Sequence, residues 1–306
     1  MRSIFESIKE YDVSASHHRI GLIGADIADS LSPLLHETEA LDLRMRDHSY
    51  ETIDITADRR GADAAPALIR TAVAQGFTGF NVTHPCKQTV MAGLDHIDAH
   101  ALRIGAVNTV TVRDGQLTGH NTDESGFRAA LSMAMGSDEL GRVVLFGAGG
   151  AGSAVAHALA NAGAIRLTIV DVDASRATAL ADRIAATGTE AVGTAVDAAA
   201  DHVRRADGVV NATPIGMNGH SGTPFELDLL EPRHWVADIV YRPMSTEMLT
   251  RATTLGCRTV GGTQMLVEQA ADSFALLTDV EPDRARMRRH LAQTLATRAQ
   301  RVGPCS

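Results

Sequence analysis

The sequence predicts an α/β protein in which a largely parallel sheet with its own helices precedes a second, doubly wound sheet. Apolar runs of strand length alternate with helical segments along most of the chain, the pattern of parallel strands joined by crossover helices. Residues 141–173, GRVVLFGAGGAGSAVAHALANAGAIRLTIVDVD, read as strand, glycine turn, helix and strand. Gly147, Gly149 and Gly152 fit G-x-G-x-x-G, and Asp171 follows the last glycine by 19 residues. In that context the motif marks a Rossmann-like dinucleotide site. Gly147 permits the sharp exit from the strand, Gly149 lets a pyrophosphate approach the backbone, and Gly152 lets the helix pack on the sheet. The helix N-terminus offers N–H groups to phosphates, and Asp171 can accept from a ribose diol.

The composition bounds the function. The 306 residues suffice for two domains of common size, and the net charge of −9 argues against a nucleic-acid surface. No apolar run approaches a membrane span, and residues 1–18 do not read as a signal peptide. Cys86, Cys257 and Cys305 are far apart, with neither zinc spacing nor a disulfide framework. A cytoplasmic protein with no metal and no membrane contact is the expectation.

In order along the chain, residues 1–18 are mixed and expected at the periphery. Residues 19–24 (RIGLIG) form a strand, followed by a polar loop and a helix over 34–46 with Pro33 in its first turn. Ser30 and Ser32, taken singly, read equally well as caps of that helix. A strand at 50–55, a helix at 62–74 stopped by Gly76, and a strand at 77–82 follow. Thr83 and Lys87 lie just past the last strand, though a lone lysine reads first as a solvated one. Asp114-Gly115 between two apolar runs predicts a hairpin. Asn121-Thr122-Asp123 leads into a helix to Met135, where Asp123 alone reads as a cap or first-turn acid. A polar connector, 135–141, leads to the dinucleotide segment. After it come a helix at 175–186, a weak strand near Ala191, a short helix from Ala198, and strands at 207–213, 235–241 and 258–260, with a helix at 246–255 before the last. The tail from Thr263 is helical. Its arginines at 284, 286, 288, 289, 298 and 301 read as a solvated helix end favoured by the macrodipole.

Eight short motifs occur in order: SLSPLLH (30–36), NVTHPCK (81–87), AVNT (106–109), HNTD (120–123), GAGGAG (147–152), NATPIGM (211–217), DIVYRP (238–243) and MLVEQ (265–269). Together they resemble the shikimate dehydrogenase family, most of all its NAD-dependent quinate/shikimate branch. The resemblance implies a substrate-binding domain at 1–122, a Rossmann NAD(P)-binding domain at 123–260, and C-terminal helices at 261–306 that return to the first domain. It implies reversible oxidation of the C3 hydroxyl of shikimate, and of quinate, by a soluble monomer or homodimer. Ser30, Ser32, Thr83, Asn108, Tyr241 and Gln269 would hold the small-molecule substrate. Lys87 and Asp123 would be the catalytic pair. Gly147, Ala148, Gly149, Gly150, Ala151, Gly152 and Asp171 would hold the cofactor, with Thr213, Met217 and Gly262 at its nicotinamide end. Oxidising an alcohol needs a proton acceptor at oxygen while hydride leaves carbon; a desolvated lysine can be that base, whereas a neighbouring carboxylate orients it, can bond the same hydroxyl and pulls the lysine pKa back up, so Lys87 is the expected acceptor and Asp123 the alternative.

Asp171-Val172-Asp173 stands where family members that use NADP commonly read Asn-Arg-Thr. Two carboxylates would repel a 2′-phosphate and Val172 offers no cation, so NAD is expected over NADP. Arg176 could rescue some NADP binding, stack on the adenine or lie in solvent. HETEA (36–40) resembles the quinate branch, whereas Ser32 stands where that branch often has threonine. Cys86 and Gly261-Gly262-Thr263-Gln264 also depart from the usual pattern; Cys86 reads as a buried, inert thiol. The rival readings are an aminoshikimate or cyclitol dehydrogenase on the same scaffold and a non-catalytic quinate or shikimate sensor.

Overall fold

The structure, a computed structural model, describes residues 17–301, with side chains as far as residue 297. The peripheral, leader-free reading of residues 1–16, Cys305 and the side chains of Arg298 and Arg301 lie outside the described residues. The chain runs β1 (His18–Gly24), α1 (Ser32–Asp42), β2 (His48–Asp54), α2 (Ala65–Ala74), β3 (Gly79–Val82), β4 (His96–Ile97), α3 (Ala99–Ile104), β5 (Thr109–Arg113) and β6 (Gln116–His120). Then follow α4 (Asp123–Met135), β7 (Arg142–Phe146), α5 (Gly150–Asn161), β8 (Arg166–Asp171), α6 (Ala174–Ala185), β9 (Glu190–Ala195), α7 (Ala199–Arg205), β10 (Gly208–Asn211), β11 (Trp235–Asp238), α8 (Glu247–Thr254), β12 (Arg258–Gly261), α9 (Gly262–Thr278) and α10 (Arg284–Arg301).

The first sheet has the order β2-β1-β3-β5-β6-β4. Crossovers through α1 and α2 make β1 parallel to β2 and β3, and β4 is parallel to β6. The expected hairpin supplies the antiparallel pairs β3–β5 and β5–β6. Its turn takes positive φ at both Asp114 (51°) and Gly115 (75°), as a two-residue hairpin needs. β1 is buried on both faces: Ile20 and Leu22 meet Tyr50 and Leu277, while Ile23 joins Phe80, Val82 and Val110.

The second sheet, β12-β11-β10-β7-β8-β9, is parallel throughout. Strand order reverses between β7 and β10, so the ends of these two strands open the crevice where a doubly wound sheet takes its ligand. β7 alternates cleanly, with Val143 and Leu145 in the core on one face and Val144 and Phe146 on the other.

Several boundaries moved for identifiable reasons. The first helix ends at Asp42, not Arg46, because Arg44 takes a left-handed φ of 59°. The helix expected over 62–74 divides into a 3₁₀ turn at Gly61–Ala64 and α2, where Pro66 occupies the first turn. The strand expected to reach Tyr241 stops at Asp238. The sequence reading passed over α3, which Asp98 caps by accepting from the His100 and Ala101 N–H groups and Gly105 ends with φ 71°. Among the described residues no helix is long and apolar enough to cross a membrane.

α4 links the sheets and packs against both α5 and α9. A Cβ on Gly126 would lie 2.7 Å from the Gln269 Cβ, so this glycine sets how closely α4 and α9 approach. The arginine-rich tail corrects the solvated-helix reading. α10 starts at Arg284, which puts four of the arginines near its N-terminus, where the macrodipole opposes them. Two buried glutamates outweigh that cost. Glu39 of α1, 0% exposed, takes the Arg286 guanidinium in bidentate fashion (Nη2–Oε1 2.5 Å, Nε–Oε2 3.0 Å). Glu268 of α9 pairs with Arg284 at 3.0 Å and with Arg288. α10 therefore pins α1 to α9.

Arg286→Ala would leave Glu39 as a buried, unpaired charge. The expected loss is about 3 kcal/mol of unfolding free energy at pH 7, read from the urea midpoint. A loss below about 1 kcal/mol would mean that Glu39 is held by something else.

Candidate active site

Lys87 follows β3, and its carbonyl accepts the Val107 N–H at 2.8 Å, which ties this loop to the approach to the hairpin. Asp123 opens α4. The capping work falls to Asn121, whose Oδ1 accepts from the Asp123 and Glu124 N–H groups at 3.0 and 3.3 Å. That leaves the Asp123 carboxylate free for side-chain partners, contrary to the plain capping reading. Lys87 Nζ lies 2.5 Å from Asp123 Oδ2, with the lysine side chain 16% and the aspartate side chain 5% exposed. Lys87 is thus not a solvated surface lysine.

Asn108 is the hub of this site. Its Nδ2 donates to Asp123 Oδ1 at 3.0 Å and to Thr122 Oγ1 at 2.9 Å, with Gln269 Oε1 at 3.4 Å; its Oδ1 accepts the Thr122 N–H at 2.8 Å. Thr109 Oγ1 donates to Asn108 Oδ1 at 3.1 Å and accepts from Asn81 Nδ2 at 3.4 Å. Asn81 Oδ1 in turn accepts from the Tyr50 hydroxyl at 2.8 Å, and Ser32 lies near that hydroxyl. Ser30 stands in the same relation to Tyr241, and burial raises the Tyr241 hydroxyl above its ordinary pKa. α1 has Leu31 at its N-cap position with no side-chain cap bond, so Ser32 is not a cap; the Ser30 Oγ accepts the Ser32 N–H at 3.3 Å. Thr83 lies beside Gly24, where an added Cβ would sit 2.4 Å from the Thr83 Cγ2. Arg242, next to Tyr241, reaches across to Asp29 at 2.6 Å and so fastens the second sheet's loop to the serine loop.

The dinucleotide side sits at the crevice. Gly147 has φ 101°, and a Cβ there would strike the Ala212 carbonyl at 2.8 Å, with the Thr213 Cγ2 at 3.1 Å. A Cβ on Gly152 would lie 1.9 Å from the Gly147 carbonyl. Gly149 is the N-cap of α5 and no side chain caps this helix, which leaves first-turn N–H groups of Gly150 and Ala151 for phosphate oxygens. The residues present therefore fit a dinucleotide. Ala148 N–H is already taken by Asp171 Oδ2 at 2.7 Å, and Asp171 Oδ1 accepts the Asp173 N–H at 3.0 Å. Val172 is 86% exposed beside them. Asp173 caps α6 by accepting from Ser175 Oγ (2.6 Å) and the Ser175 N–H (2.9 Å), and these bonds hold its carboxyl below the usual range. Arg176 Nη2 comes within 3.4 Å of where a Gly149 Cβ would be, so its guanidinium lies over the glycine loop.

Thr213 is held by Asn211 Oδ1, which accepts from its hydroxyl at 2.6 Å and its N–H at 3.0 Å. Met217 belongs to a turn joined to the Arg242 carbonyl through the Asn218 N–H at 2.9 Å. Gly262 packs tightly, since a Cβ would lie 2.4 Å from the Ile239 carbonyl. The unusual Gln264 caps α9 by accepting the Gly261 N–H at 3.1 Å. Burial pushes the Cys86 thiol up to about 11, which agrees with the inert reading.

Sequence reasoning gave no role to Tyr50, Asn81, Asn121, Thr122 or Asp238. Asn121 carried a usable signal, an asparagine just ahead of a helix. Asp238 joins the ends of β10 and β11: Asn211 Nδ2 and the Val240 N–H donate to its Oδ1 at 3.0 Å each, and the Thr246 hydroxyl donates to Oδ2 at 2.7 Å. Burial pushes this carboxyl up to about 6.

Besides the Arg242–Asp29 bridge and the packing of α3 on α5, the two halves meet at the glycine turn. A Cβ on Gly150 would lie 2.8 Å from the Lys87 Cβ. The phosphate-binding turn and the lysine stem are thus packed together across the two sheets.

Known proteins resemble this chain over most of its length. A model of the shikimate dehydrogenase substrate-binding domain matches residues 22–110, and one of the shikimate 5′-dehydrogenase C-terminal domain matches residues 262–292. A ThiF family model matches residues 138–253, the second sheet. Shikimate dehydrogenase (NADP(+)) of Pseudarthrobacter chlorophenolicus is 46% identical over 279 residues, 90% of this chain and 95% of that protein. Quinate/shikimate dehydrogenase (NAD(+)) of Corynebacterium efficiens is 45% identical over 272 residues, 88% of this chain and 95% of that protein. The solved structure of quinate dehydrogenase from Corynebacterium glutamicum in complex with NAD superposes with a TM-score of 0.82 at 44% identity, covering 90% of this chain and 99% of that one.

Gly150→Ala should force the glycine loop and the Lys87 stem apart while the fold survives. The expected outcome is a fall in kcat/KM of about tenfold or more with an unchanged circular dichroism spectrum. Wild-type kinetics in this variant would show that the contact has slack.

Proposed function

The chain belongs to the shikimate dehydrogenase family, and from that membership we propose that it oxidises shikimate, and quinate beside it, at the C3 hydroxyl with NAD preferred over NADP. It is an NAD(P)-dependent oxidoreductase acting on a CH–OH group. The observation that carries the reading is the Lys87–Asp123 pair at 2.5 Å, placed against the glycine loop that fits a dinucleotide. The bound nicotinamide supplies the hydride acceptor. Lys87 Nζ accepts the hydroxyl proton as the neutral amine, and Asp123 orients Nζ and pairs with the ammonium that forms. Asn108 and Gln269 flank Asp123, and Ser30, Ser32, Thr83 and Tyr241 bind the carboxylate and remaining hydroxyls. An aminoshikimate or cyclitol dehydrogenase and a catalytically dead sensor are not favoured, because the relatives oxidise shikimate or quinate by name and the lysine–aspartate pair is assembled.

The cofactor preference rests on 171–173. Asp171 sits at the loop, Val172 projects into solvent where a cation would grip a 2′-phosphate, and Asp173 adds a second carboxylate. Relatives with NADP(+) and with NAD(+) in their names stand at nearly equal identity, 46% and 45%, so overall similarity does not decide the matter. Arg176, beside Gly149, supports residual NADP use. We propose a substrate-binding and catalytic domain at 1–122, a Rossmann NAD-binding domain at 123–260 that adds Tyr241 to the substrate site, and helices at 261–306 that return to the first domain and add Gln269. The contacts of α9 and α10 with α1 support that return. We further propose a monomer or homodimer in the cytoplasm, with no metal and no nucleic-acid partner.

The deciding experiment is a four-way assay of shikimate or quinate with NAD or NADP, followed by reduced-nicotinamide absorbance. Turnover with NAD is expected for both acids, and Lys87→Ala should lower kcat about 10²–10⁴-fold. No turnover in any combination would falsify the reading. Asp171→Ala combined with Val172→Arg should shift the kcat/KM ratio toward NADP by about tenfold or more, since a guanidinium replaces an apolar side chain at the 2′-position. An unmoved ratio sinks the assignment of preference to 171–173.

A further inference from the structure

Tyr50 belongs to none of the motifs that mark the site, yet it closes the hydrogen-bond chain beneath the substrate residues. It lies on β2, 6% exposed, with its ring 4.8 Å from that of His36, which in turn is 5.6 Å from Phe274. Burial holds the His36 imidazole far below its ordinary pKa, down to about 3, so this support is neutral near pH 7. The ring of Tyr50 is thus fixed by packing, and its hydroxyl has little freedom to move.

That hydroxyl makes a choice for its neighbour. A side-chain amide has one accepting end and one donating end. Tyr50 donates to Asn81 Oδ1 at 2.8 Å, and Asn81 Nδ2 then donates to Thr109 Oγ1 at 3.4 Å. Nδ2 carries two hydrogens, and one remains for a further acceptor. Ser32 stands at the same tyrosine oxygen. Hydroxy acids with a carboxylate and several ring hydroxyls are rich in acceptors, so a pocket that recognises them gains from fixed donors.

We propose that Tyr50 is a positioning residue for the acid substrate, its hydroxyl holding the oxygen end of the Asn81 amide and so fixing which way the amide nitrogen faces. Tyr50 does not touch the reacting atoms. It acts through Asn81, and the chain Tyr50–Asn81–Thr109–Asn108–Asp123 connects that amide to the catalytic pair. Without the hydroxyl, Asn81 loses the shorter of the two bonds that set its orientation and keeps only the 3.4 Å one to Thr109. The inference rests on the dehydrogenase reading above.

The test is Tyr50→Phe, which keeps the ring on His36 and removes one oxygen. The KM for shikimate should rise about tenfold, the loss of one well-placed hydrogen bond. The kcat should stay within about twofold, and the KM for NAD should not move. Calorimetric binding of shikimate should weaken by the same factor as the KM rises. An unchanged acid KM overturns the proposal, as does an equal rise in the KM values of acid and cofactor, which would mark a general structural loss. Wild-type protein that oxidises neither acid overturns the underlying reading and this inference with it. Wild-type turnover with an unmoved acid KM in the variant overturns the inference alone.

Discussion

The site depends on the side-chain amide of Asn108. Both ends of that amide are committed: the oxygen takes the Thr122 N–H, and the nitrogen reaches Thr122 Oγ1 and Asp123 Oδ1. These bonds hold the first turn of α4 against the hairpin, with Asn121 capping the turn from below. A carboxylate at a helix start is ordinary, because the macrodipole favours it there. What makes Asp123 a chemical partner is that its cap duty has been moved to Asn121 and its oxygens are aimed by Asn108 and Lys87. A nearly buried ion pair carries a desolvation cost, and it is sustained by such additional hydrogen bonds.

The second constraint is backbone approach across the crevice. Gly147, Gly150 and Gly152 each stand where a Cβ would collide with another part of the crevice: the Ala212 carbonyl, the Lys87 stem and the Gly147 carbonyl. The glycines therefore do more than admit a pyrophosphate. Gly150 sets how near the two halves come, and hence where the Lys87 stem sits against the glycine turn, while Gly147 and Gly152 set how closely α5 and the end of β10 approach the end of β7. Thr213 and Tyr241, at the ends of β10 and β11, are fixed to the same frame because Asp238 bonds to both strand ends.

The outer frame is electrostatic. Glu39 and Glu268, buried on α1 and α9, draw three arginines to the start of α10 against the helix dipole. α1 follows directly from Ser32 and α9 carries Gln269, so the clamp holds two walls of the substrate pocket at a set distance. A polar exterior helix in the sequence is thus a strap in the fold. The reversal has a simple cause: a buried carboxylate without a cation costs more than an arginine in an unfavourable dipole.

Local chemistry made much of this legible in advance. The glycine spacing between an apolar strand and a helix, the Asp-Gly turn, Pro33 and the positive-φ stop at Gly76 each act within a few residues, and each stands as expected. The polar motifs, joined by their resemblance to one family, contain Lys87, Asn108, Asp123 and Gln269, which the fold brings into one hydrogen-bonded group. Distance in sequence hid the rest. Tyr50, a strand tyrosine, acquires meaning only when β2 is stacked beside β1 and the end of β3 brings Asn81 to its hydroxyl. Glu39 and Arg286 are 247 positions apart, and nothing near either announces the other. Asp123 reads as a capping acid until Asn121 takes the cap. The sequence by itself determined most of the elements and a glycine turn that fits a dinucleotide, because those depend on neighbours along the chain. Only the tertiary structure decided which polar side chains are partners, because burial leaves each of them to be satisfied by whatever the fold brings within hydrogen-bond reach.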